Sequence, residues 1–186
     1  MEITTSLSVA NRKAWRDWLS KHYLTETEVW VIYPHKTTGK ERITYNDAVE
    51  EALCFGWIDS TVKRLDADHS AQRFSPRNPK SPYSQTNKER LRWLIEHDQV
   101  MPEVHATLGD LLTEPFEIPA VIKQALQANE QAWHNFQKFS GPYQRIRVAY
   151  VDGARKRPAE FQKRLNNFIR RMEQNKQFGY GIEKYY

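Results

Sequence analysis

The sequence predicts an α+β protein, with a small antiparallel sheet and packed helices in the N-terminal half followed by a helical C-terminal lobe. Three observations carry this expectation. Residues 29–33 read VWVIY and end at Pro34, a short run of β-formers closed by a residue that cannot donate to a ladder. Residues 57–65 alternate in polarity and residues 70–74 return after Asp66-Ala67-Asp68, the pattern of a hairpin. From Ser84 onward, apolar residues recur at helical spacing behind capping residues and prolines.

Taken in order, the first helix is expected to start at a Ser8 cap and to bury the side that holds Trp15, Trp18, Leu19 and His22. The VWVIY strand follows, and a loop through Gly39 leads to a second helix. There Thr44 and Asp47 have capping-box spacing, and Tyr45, Ala48, Val49, Ala52 and Leu53 share one face. Gly56 is the expected stop. In the hairpin, Ile58 and Val62 are placed on one face and Trp57, Asp59 and Thr61 on the other. Pro76, Pro79 and Pro82 punctuate an irregular stretch. Ser84 then caps a helix with Asn87, Leu91, Leu94 and Ile95, and Pro102 starts another with His105, Leu108, Leu111 and Leu112. After Glu114-Pro115, a helix from Pro119 carries Val121, Ile122, Ala125 and Leu126. Asn129 caps the next, with Trp133, Phe136 and Phe139, and Ser140-Gly141-Pro142 breaks the chain again. A long helix from Pro158 bears the stripe Phe161, Leu165, Phe168, Ile169 and Met172.

The 186 residues suit one α+β domain over 1–113 with an appended helical lobe over 114–186, basic from about residue 140. With 39% hydrophobic residues and six Trp, the chain has the material for a real core. A single cysteine, Cys54, excludes an internal disulfide framework and a multi-thiolate zinc site. No leader pattern or membrane-length apolar run is present, so a cytoplasmic protein is expected. The net charge of +5 is unevenly placed: residues 61–93 hold eight basic and three acidic groups, 94–139 two and seven, and 140–186 eleven and four. Two basic segments therefore flank an acidic one, which suggests an anionic partner.

The strongest candidate site combines Trp57, Asp59, Ser60, Arg73, Arg77, Ser81, Ser84 and Asn87. The predicted hairpin joins its two strands, and the following loop feeds a helix N-terminus at Ser84, where free N–H groups favour an anion and two arginines can add bidentate bonds. Asp59 would orient an arginine or act as a base. The structural alternative pairs Asp59 with Arg73 across the hairpin and leaves Ser84 as a simple cap. Cys54, following Ala52 and Leu53 at the buried end of a helix, reads as core rather than as a nucleophile. The six histidines form no ligand spacing and no glycine-rich phosphate loop occurs, so no metal or cofactor is expected. The basic run Arg145, Arg147, Arg155, Lys156, Arg157, Lys163, Arg164, Arg170 and Arg171 reads either as a nucleic-acid contact or, as favoured here, as a solvated helical surface. The aromatic end, residues 178–186, is assigned to docking on the body or to self-association.

The string Glu50-Glu51-Ala52-Leu53-Cys54-Phe55-Gly56-Trp57-Ile58-Asp59-Ser60, then Arg73-Phe74-Ser75-Pro76-Arg77, then Lys80-Ser81, Ser84 and Asn87, resembles the YdeI/OmpD-associated family, also called bacteriocin-protection proteins. The likeness extends from the Trp15/Trp18 helix and VWVIY through Met101-Pro102 to Lys156-Arg157-Pro158 and Lys163-Arg164. The chain departs from the family pattern at Pro82-Tyr83, where an Asn-Trp pair is usual, at Val104, and at Ala159-Glu160-Phe161. The resemblance implies a bacterial cytoplasmic protein linked to stress or to resistance against bacteriocins and antimicrobial peptides. It names no catalyst. Binding of a small anionic ligand in a basic pocket is the expected activity; a hydrolase or transferase using that pocket, and nucleic-acid association through the basic lobe, are the alternatives.

Overall fold

The first strand, β1 (Ser6–Ser8), is too short to announce itself in the sequence, and only its partner gives it a place. The structure, a computed structural model, describes residue 3 and residues 5–186. After β1 come α1 (Arg12–His22), β2 (Val29–Pro34), a 3-10 turn, α2 (Tyr45–Cys54), β3 (Trp57–Arg64), β4 (His69–Pro76), α3 (Gln85–Glu96) and α4 (Pro102–Ala106). A second 3-10 turn (Gly109–Leu112) precedes α5 (Ala120–Gln127), α6 (Glu130–Lys138), α7 (Gly141–Asp152) and α8 (Pro158–Glu173). The chain divides into two compact units, Met1–Tyr83 with Arg90–Leu112 and Ser84–Glu89 with Thr113–Tyr186.

In the first unit the strands lie in the order β1-β2-β4-β3. β2, β4 and β3 are antiparallel as expected, whereas β1 joins β2 in parallel, with Leu7 opposite Val31. Ser8 thus belongs to a strand, and the cap of α1 is Asn11, whose side chain accepts from the Ala14 N–H at 3.0 Å. Thr44 caps α2 as its spacing predicts, accepting from the Asp47 N–H at 3.1 Å while its hydroxyl donates back to Asp47 at 2.7 Å. Trp15, Leu19, Val31, Val49, Leu53, Trp57, Phe74, Leu91 and Leu94 form the buried core of this unit. The Trp15 indole N–H reaches the Ala48 carbonyl at 3.0 Å and ties α1 to α2 inside that core.

Gly56 ends α2 with φ +72°, and its N–H donates to the Leu53 carbonyl. A Cβ there would meet Val104 at an ordinary 3.5 Å, so the backbone conformation, not space, excludes a side chain. Gly56→Ala is expected to cost about 1–2 kcal/mol, the left-handed penalty of an L-residue. A urea midpoint unchanged by the substitution would contradict this.

The hairpin falls where the alternation puts it, with one correction. Asp59 pairs with Phe74 and Val62 with Gln72, so the ladder slips between them by a bulge. The extra residue returns Val62 to the face of Trp57 and Asp59 instead of the face of Ile58. Residues 102–112 likewise do not make one helix: α4 stops after Ala106, and Gly109, at φ +48°, opens the 3-10 turn that holds Leu111 and Leu112.

The second unit is helical apart from its loops. Its core comprises Ile122, Leu126, Phe136, Tyr143, Val148, Val151, Leu165, Phe168 and Met172, with Phe161 and Ile169 packed against it. Asn129 and Ser140 cap α6 and α7. The buried Asn135 side chain donates to the last carbonyls of α8, those of Met172 and Glu173. The aromatic end docks on this unit, Tyr186 standing edge-on to Tyr143 at 4.8 Å. No helix among the described residues is long and apolar enough to cross a membrane.

Candidate functional site

Strand geometry separates the sequence-predicted site residues of the hairpin. Asp59 lies opposite Phe74 in the ladder, on the core side of the sheet. Arg73 is the neighbour of Phe74 along β4 and therefore points to the other side. Asp59 accepts hydrogen bonds from the Tyr45 hydroxyl at 3.0 Å and from Gln72 at 2.6 Å. Burial, with the Asp59 charge next, pushes the Tyr45 phenol up to about 12. Arg73 instead pairs with Glu28 at 2.6 Å and reaches Ser60 at 3.4 Å and Ser75 at 3.5 Å. Asp59 and Arg73 therefore do not pair across the hairpin.

Trp57, Arg77 and Ser81 do come together, in a cleft of about 600 Å³ in the first unit. That volume is in the range of small-molecule sites. The floor is Trp57 and Phe55 at the junction of α2 and β3, the position that the Gly56 turn dictates. Trp57 is buried, its indole N–H donating to the Tyr23 carbonyl at 3.0 Å, and Tyr23 packs edge-on to Phe55 at 5.3 Å. One wall is the loop after β4, with Pro76, Pro79, Pro82 and Tyr83; the other is α4 and the turn beyond it, with Val104, Leu108 and Leu111. Leu24, 80% exposed, forms part of the rim.

Two polar features interrupt this apolar lining. The Arg77 guanidinium carbon lies over Tyr83, 3.5 Å from the ring centroid, and the group donates to the carbonyls of Asn78 and Ser81. The β4 ladder continues one step beyond its end, where the Arg77 N–H donates to the Gly56 carbonyl at 2.9 Å, and this holds the arginine over the cleft. Among the described residues no carboxylate lies within ion-pair distance of Arg77. Tyr83, one of the departures from the resembled pattern, supplies the ring beneath it. At the α4 wall the Tyr23 hydroxyl donates to Glu103; this bond raises the phenol and lowers the carboxyl. Tyr23 and Glu103 are 80 residues apart, and nothing in their spacing signals the pairing.

Ser84 and Asn87 belong to the second unit, where the Ser84 hydroxyl accepts from the Asn87 N–H at 3.2 Å as a plain N-cap. Cys54 is buried in the first core. Burial, then the Glu51 charge, pushes its thiol up to about 12 against the pull of Arg16, the reverse of an activated nucleophile. Among the described residues no group of three or more His, Cys, Asp and Glu is arranged to hold a metal ion. Part of the basic lobe is committed internally: Arg145 grips Glu89 with two bonds of 2.6 and 2.8 Å, Arg155 pairs with Asp152 and Arg164 with Glu160, while Lys156, Arg157, Lys163 and Arg170 are exposed.

Residues 7–107 match the family described as a domain of unknown function (DUF8412), and residues 115–175 match the family described as Bacteriocin-protection, YdeI or OmpD-Associated. Neither a curated protein nor a solved structure matches the chain. The YdeI/OmpD-associated match covers α5 to α8, whereas the string from Glu50 to Asn87, which carries the resemblance in the sequence, lies wholly in the stretch matched by the other family. With the first match covering more than half of its length, the chain belongs to the DUF8412 family, and its segment 115–175 resembles the YdeI/OmpD-associated proteins.

Proposed function

We propose that the cleft of the first unit binds a small molecule with an apolar body and one anionic group, the body lying on Trp57 and Phe55 and the anion on Arg77. The observation that carries this reading is a guanidinium that, among the described residues, has no carboxylate within ion-pair distance, set on the wall of a mostly apolar, aromatic cleft. Its present acceptors are neutral carbonyls, and a carboxylate or phosphate would make stronger, charge-assisted bonds. The reading revises the expected basic pocket to a cleft with a single lining arginine. It favours binding over a hydrolase or transferase because Thr107 donates to the Val104 carbonyl, and the Tyr23 hydroxyl, held by Glu103, has its pKa raised by that bond, the reverse of an activated nucleophile. A cytoplasmic role in stress or bacteriocin resistance is part of the same proposal, supported by the family description over residues 115–175 and by the single thiol.

The test is a thermal-shift screen of aryl and alkyl carboxylates, sugar phosphates and nucleotides. Arg77→Ala is expected to weaken any hit by about ten- to a hundredfold, the worth of a hydrogen bond to a charged group. Arg73→Ala, on the opposite face of the sheet, is expected to leave it unchanged. A screen without hits, or hits indifferent to Arg77, would refute the assignment.

A further inference from the structure

Arg147 in α7 is a buried cation without a carboxylate. Its residue is 5% exposed, and no acidic group among the described residues lies within ion-pair distance of it. Its guanidinium carbon instead sits 5.7 Å from the Tyr143 ring, 5.2 Å from Phe178 and 5.9 Å from Tyr186. Nη2 donates to the Tyr186 hydroxyl at 2.8 Å, while the buried Nε has no hydrogen-bond partner. A second arginine that acts on Tyr143, Arg171, also has a buried Nε without a partner. Burying a charge is costly unless it is paired and fully hydrogen-bonded, and three rings and one neutral phenol compensate for it only partly.

What fills the space over Arg147 is the segment after α8, laid down to fit. Gly179, at φ +97°, crosses so closely that a Cβ there would be 2.2 Å from Nη1. The Phe178 N–H donates to the Tyr143 hydroxyl at 3.3 Å, and the Tyr186 ring stands edge-on to Tyr143 at 89°. Tyr186 therefore presents an aromatic ring packed on a ring and an oxygen placed on a guanidinium. We infer that this is a second binding site, for an aromatic oxyanion such as an aryl carboxylate or aryl phosphate, and that Tyr186 occupies it as a built-in stand-in. The arrangement has the shape of such a ligand and lacks only its charge. An oxyanion in place of the phenol would give Arg147 the charge-assisted, bidentate bond it lacks. A tethered ring competes at high effective concentration, so the intact chain holds the site closed against weak ligands.

The experiment titrates benzoate, phenyl phosphate and the neutral isostere benzamide into the intact chain, Tyr186→Ala, Tyr186→Ala/Arg147→Lys and Tyr186→Ala/Arg77→Ala, each first checked for cooperative unfolding. Tyr186→Ala is expected to bind benzoate or phenyl phosphate at least about tenfold more tightly than the intact chain does, and more tightly than it binds benzamide. Arg147→Lys should abolish that binding and Arg77→Ala should leave it intact; benzoate and phenyl phosphate separate a carboxylate ligand from a phosphate one. If Arg147→Lys unfolds, the Arg147 Nε–Hε resonance of Tyr186→Ala takes its place, moving with the anions and staying still with benzamide. Equal affinity for benzamide, no anion binding by Tyr186→Ala, or binding that survives Arg147→Lys overturns the site. Binding lost with Arg77→Ala moves the anion to the cleft of the first unit and overturns it too.

Discussion

Arg12→Ala is expected to lower the unfolding free energy by about 3 kcal/mol, at the lower end of the cost of removing one partner from a buried ion pair. Two carboxylates on α2, those of Glu50 and Glu51, are 0% and 1% exposed. Arg12 on α1 donates to Glu50 at 2.7 Å, to Glu51 by a very short bond, and to Asp47 at 3.2 Å. Burial alone would lower the pKa of this guanidinium, and the bonds and charges of Glu50 and Glu51 reverse that and raise it. The alanine variant keeps the buried carboxylates and removes the cation between them. Arg16, which holds Glu51 at 2.7 Å, limits the damage. Lys13→Ala is the control: its pair with Asp17 lies one residue along the same helix but in solvent, at 83% and 53% exposure. Such a pair contributes roughly 0–1 kcal/mol. The two variants are compared by urea denaturation, and equal losses would show that the α1–α2 network contributes no more than a surface pair.

Alkaline pH is the second large lever, and Cys54 is the group that exposes it. Its thiol is held up to about 12 in the fold against 9.0 in the open chain, so between these values the folded state keeps a proton that the unfolded state has released. Stability is therefore full below pH 9 and falls as pH rises toward 12. The displacement corresponds to at most about 4 kcal/mol. Tyr45 and Tyr143, each pushed up to about 12 by burial from a usual 10.0, add losses of the same sign that begin later. Replacing Cys54 by Ala should flatten the part of the fall that starts near pH 9 and leave the tyrosine part. A fall of unchanged slope in Cys54→Ala, or rapid alkylation of the native thiol at pH 8, would contradict the buried, protonated assignment.

Both expectations concern residues whose role depends on what the fold sets beside them. The spacing of Thr44 and Asp47 was enough to locate the start of α2, because a capping box is a local exchange of hydrogen bonds three residues apart. Gly56 marked the end of that helix because only a positive φ stops it there. The VWVIY strand, the hairpin turn at residues 66–68 and the long stripe of α8 were equally legible, each being a periodicity that one stretch of chain expresses by itself. β1 was not legible, since three residues of alternating polarity acquire meaning only through the parallel edge of β2.

The candidate site divides along the same line. Trp57 and Arg77 could be singled out as candidates from their types and from the density of the resemblance. Their partners could not, because Glu103 and Tyr23 reach the cleft from distant elements. A hairpin by itself is compatible with the convergence of Asp59 and Arg73. The convergence fails because the register sets Asp59 opposite Phe74 and so sends Arg73 to the other face. The basic lobe reads in sequence as a positive surface, yet Arg145 is spent on Glu89 and Arg147 is enclosed by rings. The α+β order and most of the elements can be read along the chain, because a periodicity or a capping box lies within a few residues; β1 and the cap of α1 are the exceptions. Which side chains share a face, a cleft or a charge follows from register, bulge and the packing of distant segments, and these are set by the fold.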